Sequence, residues 1–177
     1  MQLIREFTPT DRFAIDELQN QLQAYFAEID PIKESLAYKN LAAAHKYMDQ
    51  MLSDVEKMHG QIYVAEQDGK VIGFIQGIIM EHKVDDDPIF DLTHAPRKEG
   101  WIGLLFVKPE HRSQGFGTKL LTKLQDYFKS QKCDCVRLLV LSDNPAVDFY
   151  RRHDFLSHNL EMVKRLDKIP SLLTLLI

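Results

Sequence analysis

The sequence contains no run of about 18 apolar residues, the length a helix needs to cross a bilayer. Met1-Gln2-Leu3-Ile4-Arg5 opens a strand-like segment and lacks the pattern of a secretory leader. Membrane insertion and export are therefore not expected, and a cytoplasmic protein is. Blocks of lysine and arginine are also missing, and the net charge is −4, so nucleic acid is not an expected partner. Cysteine is scarce: Cys133 and Cys135 lie two apart, where they would share one face of a strand. Without further ligands nearby they read as reduced structural thiols, and no metal is expected. Repeats and low-complexity segments are absent. What remains is ordinary for one globular domain: 177 residues, 45% hydrophobic and 27% charged.

Gln2 to Phe7 reads as a short strand. Thr8-Pro9-Thr10-Asp11 is a capping signal, followed by an apolar stripe of Phe13, Leu18, Leu22 and Phe26 for a first helix that Asp30-Pro31 breaks. A second helical region runs from about Ser35 to Lys57 and stops at Gly60. Gln61 to Glu66 and Lys70 to Met80 form a hairpin around Asp68-Gly69, the dipeptide of tight turns. Gly73 and Gly77 share a face of its second strand, which points to a bulge or a close backbone approach. Glu81 to Lys98 is irregular and acidic. Ile102 to Val107 and Val136 to Leu141 read as buried strands, and Phe155 to Leu166 as a last strand. Asn144 caps a further helix with Pro145 at its first position. The order β-α-α-β-β-β-α-β-α-β implies an α/β fold: a mixed central sheet with helices on both faces. It occupies residues 1–167 and leaves an apolar tail at 168–177.

The chemistry concentrates after Ile102 to Val107. Lys108-Pro109-Glu110-His111-Arg112-Ser113-Gln114-Gly115-Phe116-Gly117-Thr118 is a polar loop with two glycines. It leads into a helix whose Gly117, Leu120, Leu121, Leu124 and Phe128 fall on one face. A strand, a glycine loop and a helix start together make an anion site, because the first N–H groups of a helix lack partners and carry partial positive charge. Spacing removes two phosphate ligands. A P-loop needs Lys-Ser or Lys-Thr directly after its last glycine, and Gly117 is followed by Thr118-Lys119. A dinucleotide fingerprint needs a small residue at position 120, which is leucine.

Arg112-x-x-Gly115-x-Gly117, preceded by Leu105-Phe106-Val107-x-Pro109-Glu110, resembles the acetyl-CoA pyrophosphate loop of the GCN5-related N-acetyltransferase (GNAT) superfamily. Asn144, Phe149, Tyr150 and Phe155 stand where that superfamily carries N-x-x-A-x-x-F-Y and a closing Gly-Phe, with Asp154 in place of the glycine. The resemblance covers about positions 61 to 166. It implies that acetyl-CoA is the cosubstrate. Leu105, Phe106 and Val107 would pair with pantetheine through their backbone, and one N–H there would meet the thioester oxygen. Arg112, Ser113, Gln114, Gly115, Phe116, Gly117 and Thr118 would hold the pyrophosphate. Asn144 would reach the pantetheine arm, and also explains itself as a cap. Tyr150 would protonate the departing thiolate, or is a core aromatic. The acceptor would be the amine of a small molecule or peptide.

Many members of this superfamily place a carboxylate base two to four residues before the Leu-x-Val, where this chain has Trp101, Ile102, Gly103 and Leu104. Other candidates are Glu81, His82, Asp91, His94 and Glu99. The acidic stretch with Asp85, Asp86 and Asp87 either attracts a cationic acceptor or solubilises a loop. The missing base keeps a second reading open, a non-catalytic acyl-CoA-binding module. The tail Ser171 to Ile177 keeps open a third, an interaction role or a homodimer.

Overall fold

The computed structural model describes residues 2–30, 41–82 and 97–164. The elements are β1 (Gln2–Glu6), α1 (Arg12–Ile29), α2 (Leu41–Lys57), β2 (Gln61–Gln67), β3 (Lys70–His82), β4 (Arg97–Val107), α3 (Phe116–Ser130), β5 (Cys135–Leu138) and α4 (Ala146–Arg151). They build a five-stranded sheet in the order β1-β2-β3-β4-β5. All neighbours are antiparallel except β4 and β5, which run parallel. A mixed sheet is what the alternation of hairpin and crossover helix dictates.

The sheet buries both faces. On one side Leu120, Leu121, Leu124 and Phe128 of α3 pack on Ile75, Ile79 and Ile102. On the other, Ile15, Leu18 and Leu22 of α1 and Met48 and Met51 of α2 cover Val64, Phe74, Leu104 and Phe106. Helices on both faces are as expected. Phe13 is not part of the stripe: it is 68% exposed. Two positions before Ile15 it lies about 200° around the helix, so it faces water when Ile15 faces the sheet.

Helix α1 starts on a network read only in part from the sequence. The Asp11 carboxylate accepts the Thr8 N–H at 2.8 Å and both terminal nitrogens of Arg5 at 2.7 and 2.8 Å. The Arg5 Nε is given to Glu66 on β2, so the helix entry is tied to the sheet. The Arg5 fork holds the Asp11 carboxyl well below its ordinary range against the opposing effect of burial.

Helix α2 ends on His59, not on Gly60: His59 takes the left-handed conformation (φ 48°) and Tyr127 donates its hydroxyl to the His59 carbonyl at 2.8 Å. Gly60 is there for a close approach, since a Cβ would collide with the Gly77 carbonyl. The Ser35 to Asn40 part of the expected helix lies outside the described residues. So do Asp85, Asp86, Asp87, Asp91, His94 and the 171–177 tail.

Asp68 and Gly69 form the tight turn with φ 50° and 76°, matching the twist of the flanking strands. Bulges interrupt the ladders at Ala65/Glu66, opposite Gly73, and at Gln76/Gly77. In the second, Gln76 pairs with Leu104 and Gly77 with Ile102, so Gly103 is the extra residue of β4.

Three strand expectations change. β4 begins at Arg97, which places Glu99 inside the sheet and not in a loop. β5 stops at Leu138, and Leu139 is 83% exposed. Cys133 precedes β5 and only Cys135 lies within it. No strand forms over 155–164, where Leu156 is 90% exposed. Alternation alone does not make a strand. A ladder partner is needed, and among the described residues none reaches that stretch.

Candidate functional site

β4 and β5 pair from Glu99/Cys135 to Ile102/Leu138 and then part. Beyond that point the β5-side edge of β4, from Gly103 to Val107, has no strand beside it among the described residues. Backbone N–H and C=O groups left open in a cleft demand partners, and an amide-bearing chain could supply them. Leu105, Phe106 and Val107 lie on this edge. The Phe106 and Val107 side chains are buried on opposite faces of the sheet, so the backbone is what they offer the cleft.

Past Val107 the chain makes a single 3-10 turn at Pro109–His111 and enters the glycine loop. Arg112 donates its Nε to the Val107 carbonyl at 3.1 Å and lies over the rings of Tyr25 and Phe106, at 5.6 and 5.7 Å from their centroids. Its terminal nitrogens have no acceptor among the described residues, so the loop-closing arginine still presents a fork. Ser113 and Gly115 are both left-handed (φ 60° and 84°), and Gln114 is tied back to the Glu110 carbonyl at 3.2 Å. Alternation of this kind turns successive N–H groups to one side, making an anion concavity. Phe116 buries its ring in the core, and its N–H and those of Gly117 and Thr118 have no intrahelical acceptor.

The two glycines are not equivalent. A Cβ at Gly115 would meet nothing within 4 Å, so the backbone conformation is what calls for glycine. A Cβ at Gly117 would make ordinary contact with the Phe149 ring at 3.5 Å. We expect Gly115→Ala to weaken CoA binding about tenfold and Gly117→Ala less than threefold, read by calorimetric titration. Equal effects would show that backbone conformation is not what sets the loop.

α4 faces this loop. The Asn144 Oδ1 accepts the Ala146 N–H at 2.9 Å, but the cap position of α4 falls on Pro145, one residue later than expected, so Asn144 sits just ahead of the cap. Asn144 is buried, and its amide nitrogen has no partner among the described residues. Tyr150 is half-buried between Phe149 and Phe155, both edge-on, with centroids 5.3 and 5.5 Å away. Burial pushes its phenol up to about 12. Asp154, where a glycine is usual, holds the left-handed conformation (φ 64°) that closes α4, at a cost of about 1–2 kcal/mol.

His153 went unnoticed in the sequence. Its Nδ1 sits 2.8 Å from the Phe149 carbonyl and so carries the proton, which leaves Nε2 to accept the Thr118 hydroxyl at 3.0 Å. This contact ties α4 to the first turn of α3. Nothing in the spacing of positions 118 and 153 signals it.

Gly103 occupies the usual base position, and the structure gives a reason for the missing side chain: a Cβ there would collide with the Gln76 amide oxygen. Gln76 is a buried residue of β3 that sequence reading passed over. Of the other base candidates, Glu81 is exposed and pairs with Lys98 at 3.4 Å. Glu99 is 2% exposed and lies against a histidine and two arginines: His82 Nε2 at 2.9 Å, Arg97 Nε at 2.9 Å and Arg137 Nε at 2.8 Å. Burial would raise its carboxyl, but the Arg97 and His82 hydrogen bonds and the Arg137 charge outweigh it and hold the group below its ordinary range. A carboxylate held ionised in this way is a weak base.

A model of the Acetyltransferase (GNAT) family matches residues 15–155. An uncharacterized N-acetyltransferase of Methanocaldococcus jannaschii is 29% identical over 157 residues, 85% of this chain and 64% of the relative. N-alpha-acetyltransferase 60 of Xenopus tropicalis is 27% identical over 147 residues, 75% of this chain and 57% of the relative. The chain thus spans less than two thirds of the length of either. Among solved structures, a Bacillus halodurans protein superposes with a TM-score of 0.75 at 21% identity, covering 93% of this chain and 99% of that one, a likeness of fold. Because the matched span runs unbroken through the parted strands, the glycine loop and α4, this chain belongs to the acetyltransferase (GNAT) family.

Proposed function

We propose that the protein transfers the acetyl group of acetyl-CoA directly to a primary amine of a small molecule or peptide. The observation that carries this reading is the open β4 edge from Gly103 to Val107, leading straight into the left-handed loop at the α3 N-terminus. Backbone groups at Leu105, Phe106 and Val107 bind the amides of pantetheine. Arg112 through Thr118 receive the pyrophosphate on main-chain N–H groups, with the Arg112 fork beside them. The amide nitrogen of Asn144 donates to the pantetheine arm while its oxygen holds the Ala146 N–H at the start of α4. The acetyl thioester supplies the activated acyl group. An N–H on the open edge takes up negative charge on its oxygen as the amine attacks, and Tyr150 donates a hydrogen bond to the sulfur as the C–S bond breaks.

Protons must balance. The attacking amine is neutral and loses one proton as the amide forms, and the thiolate gains one. With Gln76 filling the usual base position and Glu99 held ionised by Arg97, His82 and Arg137, the amine deprotonates in solvent before it attacks. Transfer is then expected to rise with pH toward the amine's own pKa.

The test is a thermal shift with CoA and acetyl-CoA, followed by thiol release with a library of amines. Ligand at a hundred times its Kd adds about 2.7 kcal/mol, or roughly 5–10 °C for a chain of this size. No stabilisation by either ligand would end the cofactor reading. The Gln76-filled base position favours a second reading, an acyl-CoA-binding module without turnover. Stabilisation with no thiol release from any amine would select it.

A further inference from the structure

Gln76 sits on β3 opposite Leu104 of β4, at the bulge where Gly103 is the extra residue. Its direction follows from its neighbours. Ile75 packs toward α3, and a Cβ on Gly77 would strike the tip of the Phe128 ring. Phe74 packs under α1 and α2. Alternation along the strand therefore sends Gln76 to the α1 and α2 face of the sheet. There its side chain crosses to β4 and ends at Gly103. The amide oxygen takes the place a Cβ on Gly103 would occupy, with the amide nitrogen 3.7 Å from that point. Gly103 is itself exposed, at the head of the open β4 edge.

Packing alone does not account for a glutamine here. The residue is 6% exposed, and both Leu104, its partner in register, and Phe74, its neighbour on the same face, are buried and apolar. The Gln76 amide has no hydrogen-bond partner among the described residues. A buried amide left without a partner costs stability, and native proteins hold few of them. Leucine or methionine would fill the same space without that cost. What distinguishes the amide is its place: it sets an uncharged acceptor oxygen beside the exposed backbone of Gly103, where the thioester end of pantetheine would lie.

We propose that Gln76 docks the acceptor: its amide oxygen accepts one N–H of the neutral attacking amine and turns the nitrogen lone pair toward the thioester carbon. The inference rests on the transferase reading of the same cleft and deepens it. The C–N bond forms from that lone pair, the C–S bond breaks, and the thiolate leaves. The amine gives one proton to solvent and the thiolate takes one back. Gln76 is unchanged, since its amide accepts a hydrogen bond but no proton. An uncharged oxygen also offers the ammonium form no ion pair, so the acceptor is not held in its unreactive state.

Gln76→Met tests it, because methionine keeps the length and bulk and removes the amide. The acceptor is the amine that releases thiol fastest with the wild-type protein. Its kcat/KM is expected to fall at least tenfold, since a misplaced nucleophile loses rate steeply. The acetyl-CoA KM and the CoA thermal shift should stay unchanged, and the Tm of the free variant should hold level or rise, because no hydrogen bond is lost. A smaller loss of kcat/KM overturns the proposal. So does a fall in Tm, which would mark the amide as a structural partner. Gln76→Glu gives a second readout. A carboxylate beside the attacking nitrogen would take its proton there, so the rise of kcat/KM with pH should move at least one unit toward acid. An unmoved profile places the side chain away from the nitrogen and also overturns the proposal. Failure of the transferase reading appears elsewhere, as no CoA stabilisation or no thiol release from any amine, and takes this role of Gln76 down with it.

Discussion

Tyr150→Phe is expected to lower kcat by about 10²–10³ at saturating substrates, within the span of positioned proton donors, while the acetyl-CoA KM moves less than threefold. The ring keeps its edge-on contacts with Phe149 and Phe155. The hydroxyl has no partner among the described residues, so its loss should change stability by less than about 0.5 kcal/mol. The raised pKa sharpens the role. With the phenol at about 12 and a thiol near 8.5, full proton transfer to a free thiolate is uphill by about 3.5 units, or about 5 kcal/mol. In the proposed reaction the phenol would therefore stabilise the developing charge on sulfur as a hydrogen-bond donor, and the proton that ends on the thiol would come from the amine by way of solvent. It also follows that Tyr150 stays protonated up to about pH 11. A loss of kcat between pH 8 and 10 that disappears in Tyr150→Phe would contradict this, as would a variant that keeps more than a third of wild-type kcat.

The largest loss of stability is expected from Gly100→Ala. Phe128 of α3 lies across two glycines on neighbouring strands. A Cβ on Gly100 would overlap its ring, with Cε2 at 2.7 Å, and a Cβ on Gly77 would come within 2.6 Å of its tip. The ring is 1% exposed and packed among Leu120, Leu121 and Leu124, all fully buried, so it has nowhere to withdraw. Overpacking costs about 1–3 kcal/mol where a core can adjust. Here we expect about 3 kcal/mol or more, a fall in Tm of roughly 6–12 °C, measured by denaturant and thermal unfolding. Phe128→Leu in the same chain should return part of it, a non-additive pair because both changes act on one contact. A Gly100→Ala protein within 0.5 kcal/mol of wild type would mean the ring is not held as described.

Much of the molecule was legible because its signals are local. The turn at Asp68-Gly69, the apolar face of α3 and the loop from Arg112 to Thr118 each depend on neighbours in sequence. So does the start of α4, although its cap falls on Pro145, one residue later than the sequence implied. The readings that changed depended on pairing across the fold. Leu139 and Leu156 look like strand residues by composition, and are exposed, with no strand beside them among the described residues. Phe13 fits a helical stripe on paper and misses it, since Ile15 sets which face meets the sheet. Glu99 looks like a loop carboxylate until β4 proves to start at Arg97.

By itself the sequence determined the class of fold, the family resemblance and the phosphate loop, all of which rest on periodicity and spacing within short segments. Only the tertiary structure decided what surrounds Gly103 and Glu99. Gln76 fills the place where a base side chain would go, and His82, Arg97 and Arg137 converge on Glu99 from three strands. Residues 76, 82, 97, 99 and 137 show no pattern in sequence, because what joins them is the register of β3, β4 and β5. Register is fixed by bulges and by which faces the helices bury, and these are properties of the whole sheet.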